Sequence, residues 1–136
     1  MNLPVLTIAS GNQRKVSEIS EMLDVLSLSV QKQPEYLNVE ETGNTYFENA
    51  LLKAKAAALE TKTWALADDS GLEVDILDGR PGIYSARYAK NSAEKIKKLI
   101  NELSDSPYRS ARFISCLLYT SPSPRDISGS RMPSSA

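Results

Sequence analysis

A short apolar run that ends in a polar turn and continues into an amphipathic helix restricts the fold of this chain most strongly. Val5-Leu6-Thr7-Ile8-Ala9 is apolar and partly β-branched, which is typical of a buried strand, and Ser10-Gly11-Asn12 ends it. Beyond the turn, apolar residues recur on one face of a predicted helix that Asn12 or Ser10 caps, namely Val16, Ile19, Met22 and Leu23. A strand that leads directly into a helix is the repeating unit of α/β domains.

The same alternation continues along the chain. Thr45-x-x-Glu48 is a capping box before an Ala-rich and Leu-rich helix, and Asn91-x-x-Glu94 caps a third helix. Strands are predicted where apolar residues alternate or cluster, around Leu26 to Val30, over Trp64 to Ala67 and over Ser110 to Tyr119. We therefore predict an α/β fold with a sheet flanked by helices, mixed rather than purely parallel if some links are hairpins.

Composition narrows the classes of function. A chain of 136 residues with a formal net charge of -1 fits one domain and gives no strong attraction to nucleic acid or to an anionic membrane. The absence of histidine removes Ser/His and Cys/His pairs, and the single cysteine, Cys116, cannot form an internal disulfide. With no signal peptide or membrane span in the sequence, we expect a cytoplasmic protein with a small-molecule partner.

The first polar turn is a candidate phosphate site. Backbone N–H groups and the positive end of the helix dipole meet where a strand gives way to a helix, and Lys15 adds a full charge. The candidate residues are Ser10, Gly11, Asn12, Gln13, Arg14 and Lys15. The spacing matches neither a Walker loop nor a dinucleotide fingerprint, so a capped helix start with solvated Arg14 and Lys15 remains an alternative.

Two acidic pairs form the second candidate site. Asp68 and Asp69 follow an apolar run at the predicted end of a strand, and Glu40 and Glu41 precede a glycine-containing turn. Carboxylates that converge at strand ends can hold Mg²⁺, and one of them could accept a proton from an attacking water. The alternative is an ordinary Asp-Ser-Gly turn and a solvated acidic loop.

Other polar residues give weaker signals. The loop from Arg80 to Tyr88 holds two arginines and two tyrosines, which could clamp phosphate and stack on a base or could simply pack on the surface. Lys53 and Lys55 are expected on the solvated face of the second helix, although one could turn towards the anion. Trp64 is predicted to pack in the core.

Taken together, these segments resemble the inosine triphosphate pyrophosphatase (Ham1-like) family from about Val5 to Phe113. The motifs that carry the resemblance are "ASGNQRK", "EETGNTYFENALLKAKAAA", "LADDSGLEVDILDGRPGIYSARYA" and "ARF", in the family's order. The resemblance implies an elongated, two-lobed mixed α/β fold and a homodimer.

The resemblance also implies an activity and roles for residues. The expected reaction is Mg²⁺-dependent hydrolysis of purine nucleoside triphosphates such as ITP, dITP and XTP to the monophosphate and pyrophosphate. Carried over to this sequence, residues 10–15 and Ser70 would bind substrate, Glu40 and Asp69 would bind the metal, and Asp69 would accept the proton. Base preference is not assigned.

The sequence departs from the family after the "ARF" strand, where a Phe-Gly-Tyr-Asp-Pro-like motif, a lysine and a Ser-His-Arg-like motif are absent. We therefore predict residues 1–115 as the N-terminal part of the pyrophosphatase domain, incomplete at its C-terminus. Residues 116–136 are predicted to be a non-native, disordered Ser/Pro-rich tail, since "CLLYTSPSPRD" resembles translated sequencing adapter. The alternative function is a non-catalytic fragment with weak triphosphate binding, and a kinase with a degenerate phosphate loop is a weaker possibility.

Overall fold

A computed structural model describes residues 3–123 and, for the backbone only, Gly129–Ser135. Its strands are β1 (Val5–Ile8), β2 (Ser29–Lys32), β3 (Trp64–Val74), β4 (Ala111–Thr120) and β5 (Gly129–Ser135), and its helices are α1 (Gln13–Met22), α2 (Tyr46–Thr61) and α3 (Ser92–Leu103). Short 3₁₀ helices span Asp75–Leu77 and Gly82–Arg87. None of the helices in this described part is both long enough and apolar enough to cross a membrane.

The sheet is mixed and has the strand order β2-β1-β3-β4-β5. β1 pairs in parallel with β2 and with β3, whereas β4 pairs antiparallel with β3 and with β5. The predicted α/β class with a mixed sheet and flanking helices is confirmed. The strand predicted around Leu26 to Val30 begins only at Ser29, because Leu26 and Leu28 lie in the turns that follow α1.

Side-chain caps fix where the helices begin. The side chain of Asn12 accepts hydrogen bonds from the backbone N–H groups of Arg14 and Lys15, Thr45 accepts one from Glu48, and Asn91 accepts one from Glu94. Each cap satisfies donors that the first helical turn leaves without an intrahelical partner. All three predicted helix starts are therefore confirmed.

The main core lies between α2 and the sheet and is built largely from alanine. Its buried residues are Ala9, Ala50, Ala54, Ala57, Ala58, Ala65, Ala67 and Leu118. Small side chains bring the helix backbone close to the strands and leave no room for a larger residue. On the other face of the sheet, a smaller cluster joins Ile8 of β1 to Val16 and Ile19 of α1. Trp64, predicted in the core, is 46% exposed at the start of β3.

β3 is longer than the sequence predicted. The carboxylates Asp68 and Asp69, expected at a strand end, lie in the middle of this strand, which continues to Val74. The parallel pairing with β1 nevertheless stops at Leu66, and beyond it β3 is paired with β4. Asp68 and Asp69 thus lie just beyond the part of β3 that pairs in parallel with β1, where the ends of neighbouring helices can approach them.

The predicted boundary at residue 116 falls inside a strand. β4 continues to Thr120, and Cys116 and Leu118 are buried, so residues 116–120 belong to the sheet. These residues pair with the first half of β3, from Ala65 to Asp69. Gly129–Ser135 also lies in the sheet as β5, while residues 124–128 and 136 of the predicted tail lie outside the described residues. That residues 116–136 form a non-native tail stays a prediction.

Candidate active site

A pocket of about 400 Å³ opens beside the acidic segment of β3. Polar side chains reach it from α1, from the loop before α2, from α2, from β3, from the segment 82–88 and from α3, and apolar side chains reach it mainly from α3 and β4. The polar residues are Lys15, Glu41, Lys53, Asp69, Ser70, Ser85, Tyr88 and Lys95, and the apolar ones include Leu72, Ile96, Leu99 and Phe113. The sequence-predicted phosphate and carboxylate sites therefore meet at one pocket.

Lys53 connects the acidic groups. Its ammonium donates a hydrogen bond to the main-chain oxygen of Asp68 at 2.7 Å and lies 2.9 Å from Glu41 Oε1 and 4.0 Å from Asp69 Oδ1. The side chain is only 18% exposed. A cation held between two carboxylates in a partly buried site keeps its position better than a solvated lysine, because low dielectric strengthens each attraction.

Asp69 is the buried acid of the pocket. The residue is 7% exposed, and its Oδ2 atom is buried without a hydrogen-bond partner among the described residues. Desolvation raises the pKa of its carboxyl to about 6. The charge of Lys53 and the side-chain amide of Asn49 oppose this rise, whereas Glu41 and Asp68 add to it. A carboxylate with a pKa in this range can accept a proton near neutral pH.

Asp68 and Asp69 are held from opposite sides of β3. Asp68 Oδ1 lies 3.0 Å from the ammonium of Lys15 on α1, whereas Asp69 faces Lys53 on α2. Successive side chains of a strand point to opposite faces, so adjacent carboxylates acquire different partners. This arrangement separates the two negative charges that the sequence places side by side.

The six residues of the predicted phosphate turn do not all face the pocket. Lys15 lines it, while Arg14 is exposed and pairs with Glu18 at 3.3 Å. Asn12 is engaged as the helix cap, and the hydroxyl of Ser10 accepts a hydrogen bond from the backbone N–H of Asn12 at 3.0 Å. The turn therefore presents one full positive charge to the pocket.

The acidic loop contributes its second residue. Glu40 is exposed, and Glu41 lines the pocket and pairs with Lys53. Ser70, predicted to contact substrate, also lines the pocket directly after Asp69. The predicted metal role of Glu40 stays a prediction.

A close contact behind the pocket fixes the course of β3. A Cβ atom on Gly71 would lie 2.2 Å from the carbonyl oxygen of Gly82 and 2.9 Å from the hydroxyl of Tyr46. The hydroxyl of Ser85 accepts a hydrogen bond from the backbone N–H of Leu72 at 2.9 Å and donates one to the Gly82 carbonyl oxygen at 2.6 Å. Only glycine permits this approach at residue 71.

The donor set fits a hard cation that shares its ligands with a substrate. Asp69 Oδ2 is a carboxylate oxygen with no partner in the described part of the chain, and Glu41 lies on the other side of Lys53. Residues 3–123 hold no group of three or more His, Cys, Asp or Glu residues that could enclose a metal. Mg²⁺ is usually held by one or two carboxylates, with waters and substrate phosphates completing its shell, and this arrangement matches that preference.

Lys53 lines the pocket although the solvated face of α2 was expected for it, and Lys95 and Ser85 line the pocket without a sequence-based prediction. Lys53 stands three residues after Ala50 and four before Ala57, both fully buried, so helical spacing places it beside the buried face. That signal was present in the sequence. The roles of Lys95 and Ser85 depend on how Gly82–Arg87 and α3 fold back over β3, which local spacing does not reveal.

Comparison with known proteins gives a consistent result. The chain is 54% identical over 118 residues to the dITP/XTP pyrophosphatase of Synechococcus sp. (strain CC9311), covering 87% of this chain and 57% of that protein. It is 44% identical over 120 residues to the dITP/XTP pyrophosphatase of Synechocystis sp. (strain ATCC 27184 / PCC 6803 / Kazusa), covering 88% of this chain and 62% of that protein. The chain thus spans about three fifths of the length of these curated relatives.

Solved structures give the same assignment. A HAM1 protein from Coxiella burnetii superposes with a TM-score of 0.86 at 36% identity, covering 98% of this chain and 71% of that one. The Staphylococcus aureus Ham1 protein superposes with a TM-score of 0.82 at 38% identity, covering 97% and 69% respectively. The family model for the Ham1 family matches residues 6–131. The predicted resemblance is confirmed, and the chain belongs to the Ham1 family.

Proposed function

We propose that this chain carries the phosphate-hydrolysing half of a nucleoside triphosphate pyrophosphatase. It would convert ITP, dITP or XTP to the monophosphate and pyrophosphate. The observation that carries the proposal is Asp69, a buried carboxylate with an unpartnered oxygen beside Lys53, in a chain 54% identical to a dITP/XTP pyrophosphatase. By the same relationship we propose that the enzyme works as a homodimer.

We propose Mg²⁺ as the cofactor. Asp69 and the acidic pair Glu40 and Glu41 would hold it together with the substrate phosphates. When bound, Mg²⁺ neutralises charge that develops on the phosphates and lowers the pKa of a bound water.

Proton transfer, positioning of the carboxylates and substrate binding would fall to different residues of the chain. Asp69 accepts a proton from the water whose attack breaks the bond between the α and β phosphates. Its pKa of about 6 leaves it ionised at neutral pH. Lys53 keeps the carboxylates of Asp69 and Glu41 at fixed positions, and Lys15 and the turn before it contact the polyphosphate. Ser70, next to Asp69, contacts substrate from β3.

Product analysis tests this proposal. The chain is incubated with dITP, XTP or ATP in the presence and absence of Mg²⁺, and monophosphate, diphosphate, pyrophosphate and phosphate are quantified. We expect pyrophosphate release that requires Mg²⁺ and is faster with dITP or XTP than with ATP. In Asp69→Asn the rate should fall about 10² to 10⁴-fold, the usual contribution of a general base, whereas Asp24→Asn, at an exposed residue, should retain it.

The competing proposal, a non-catalytic fragment, makes the opposite prediction. A chain that unfolds cooperatively but releases no pyrophosphate from any of the three nucleotides would favour it. Undiminished hydrolysis by Asp69→Asn would show that another group accepts the proton.

A further inference from the structure

Lys95 is a third lysine that lines the pocket. It lies in the first turns of α3, is half-buried, and contributes to the same pocket wall as Ile96 and Leu99. Within residues 3–123, its ammonium has no hydrogen-bond acceptor and no carboxylate within salt-bridge distance. A lysine that lines a pocket beside apolar side chains without a counter-ion keeps its charge available to a ligand.

The other two lysines of the pocket are already engaged. Lys15 lies 3.0 Å from Asp68 Oδ1, and Lys53 lies 2.9 Å from Glu41 Oε1 and 4.0 Å from Asp69 Oδ1. Each therefore attracts an anionic ligand less strongly than an unpaired lysine would, because a neighbouring carboxylate offsets its charge.

The charge balance of the pocket makes Lys95 important. Lys15 and Lys53 face three carboxylates, those of Glu41, Asp68 and Asp69, so this group carries a net charge of -1 when all are ionised. A nucleoside triphosphate is itself strongly anionic, and such a group alone would repel it. Lys95 brings the balance to neutral before any divalent cation is bound.

We propose that Lys95 is a substrate-binding residue whose ammonium pairs with an anionic oxygen of the polyphosphate of a nucleoside triphosphate. The inference rests on the proposed function and adds to it a contact from α3, whereas Lys53 comes from α2. Lys95 should bind the polyphosphate equally in the ground state and the transition state, because the proton-accepting group lies on β3 and not on α3. Its loss should therefore raise KM and leave kcat nearly unchanged.

The experiment compares Lys95→Gln with Lys97→Gln in the full chain. Both variants remove one positive charge from α3, but Lys97 is exposed and does not line the pocket. We measure kcat and KM for dITP with Mg²⁺, and the inhibition constant of inorganic tripolyphosphate, in wild type, both variants and Lys95→Arg. For Lys95→Gln we expect KM and the inhibition constant to rise about tenfold, since hydrogen bonds to charged groups contribute on this scale, with kcat within about twofold of wild type.

The remaining outcomes separate the two proposals. Lys97→Gln should match wild type, and Lys95→Arg should restore most of the affinity because it keeps the charge. If wild type hydrolyses dITP and Lys95→Gln behaves as Lys97→Gln does, the role of Lys95 is refuted and the proposed function stands. If wild type neither hydrolyses dITP nor binds tripolyphosphate, the proposed function fails, and the role of Lys95 fails with it.

Discussion

The two helices that border the pocket, α2 and α3, are held in very different ways. α2 has five buried residues, four of them alanines packed against the sheet, whereas none of the twelve residues of α3 is buried. On α3 two large apolar side chains remain largely open, since Ile96 is 59% exposed and Ile100 is 53% exposed. Polar contacts link α3 to the preceding segment, chiefly through Glu102, which accepts hydrogen bonds from Tyr88 and Arg80.

This difference in packing indicates different roles for α2 and α3, the two helices that form walls of the pocket. Lys53, which positions the proton acceptor Asp69, lies on a closely packed helix. Such packing suits this role, because a small displacement of a catalytic group lowers the reaction rate. Lys95 lies on α3, which is only weakly packed against the rest of the chain. Weak packing is sufficient for a lysine that binds a flexible polyphosphate. Changes to α2 and β3 should therefore affect stability, while changes to α3 should affect mainly binding.

The largest loss of stability is expected for Gly71→Ala. The new Cβ would lie 2.2 Å from the Gly82 carbonyl oxygen, so β3 and the segment Gly82–Arg87 must separate. We expect the free energy of unfolding to fall by about 3 kcal/mol, at the upper end of overpacking effects. Urea denaturation measures it. Gly11→Ala, whose Cβ would meet only Gln33 Nε2 at 3.9 Å, is the control, and equal losses in both variants would contradict the proposed contact.

A smaller loss is expected for Ala54→Leu on the packed helix. Ala54 is fully buried against the sheet, and three added carbons would force α2 outward. We expect a loss of about 2 kcal/mol by thermal or urea unfolding. Ala93→Leu makes the same substitution at an exposed position on α3 and should change stability by no more than about 0.5 kcal/mol. If the two variants are equally destabilised, the walls do not differ in packing.

Activity should depend on pH through Asp69. Because its pKa is raised to about 6, the carboxylate is mostly protonated at pH 5 and mostly ionised at pH 7. Turnover should therefore rise about tenfold between these pH values, as expected for a single base with that pKa. A flat kcat profile from pH 5 to pH 7 would show either that Asp69 is not the base or that bound Mg²⁺ holds its pKa below about 5.

The same shift affects stability in the opposite direction. Between the ordinary Asp pKa and about 6, the folded chain binds more protons at Asp69 than the unfolded chain, so the contribution of Asp69 to stability falls as pH rises. Asp69→Asn removes this term, and its melting temperature should exceed that of wild type at pH 7 but not at pH 4. The opposite order would indicate that Lys53 outweighs desolvation at this site.

The smallest effect is expected for Glu102→Gln. This residue links α3 to Arg80 at 3.4 Å and to the hydroxyl of Tyr88, and Arg80 is largely exposed. We expect a loss of less than about 1 kcal/mol, as for other partly exposed pairs. Thermal unfolding measures the change, and a loss as large as that of Ala54→Leu would mean that α3 is held as firmly as α2.

Local sequence signals predicted most of the framework. The caps at Asn12, Thr45 and Asn91 located the helices, and the apolar run before Ser10 located β1, because these signals act within one or two turns of chain. They did not reveal that β3 continues through its acidic pair, since that extension depends on pairing with β4 some fifty residues away. Nor could they show that Glu41 rather than Glu40 faces Lys53, because one residue of loop geometry decides it.

The most direct test of the division between the walls compares Lys53→Gln with Lys95→Gln, with folding of each checked by circular dichroism. Both substitutions remove one ammonium from the same pocket, one from α2 and one from α3. We predict that Lys53→Gln lowers kcat for dITP about a hundredfold through misplacement of the catalytic carboxylate, and that Lys95→Gln raises KM with kcat nearly unchanged. A fall in kcat of similar size in both variants would contradict the account.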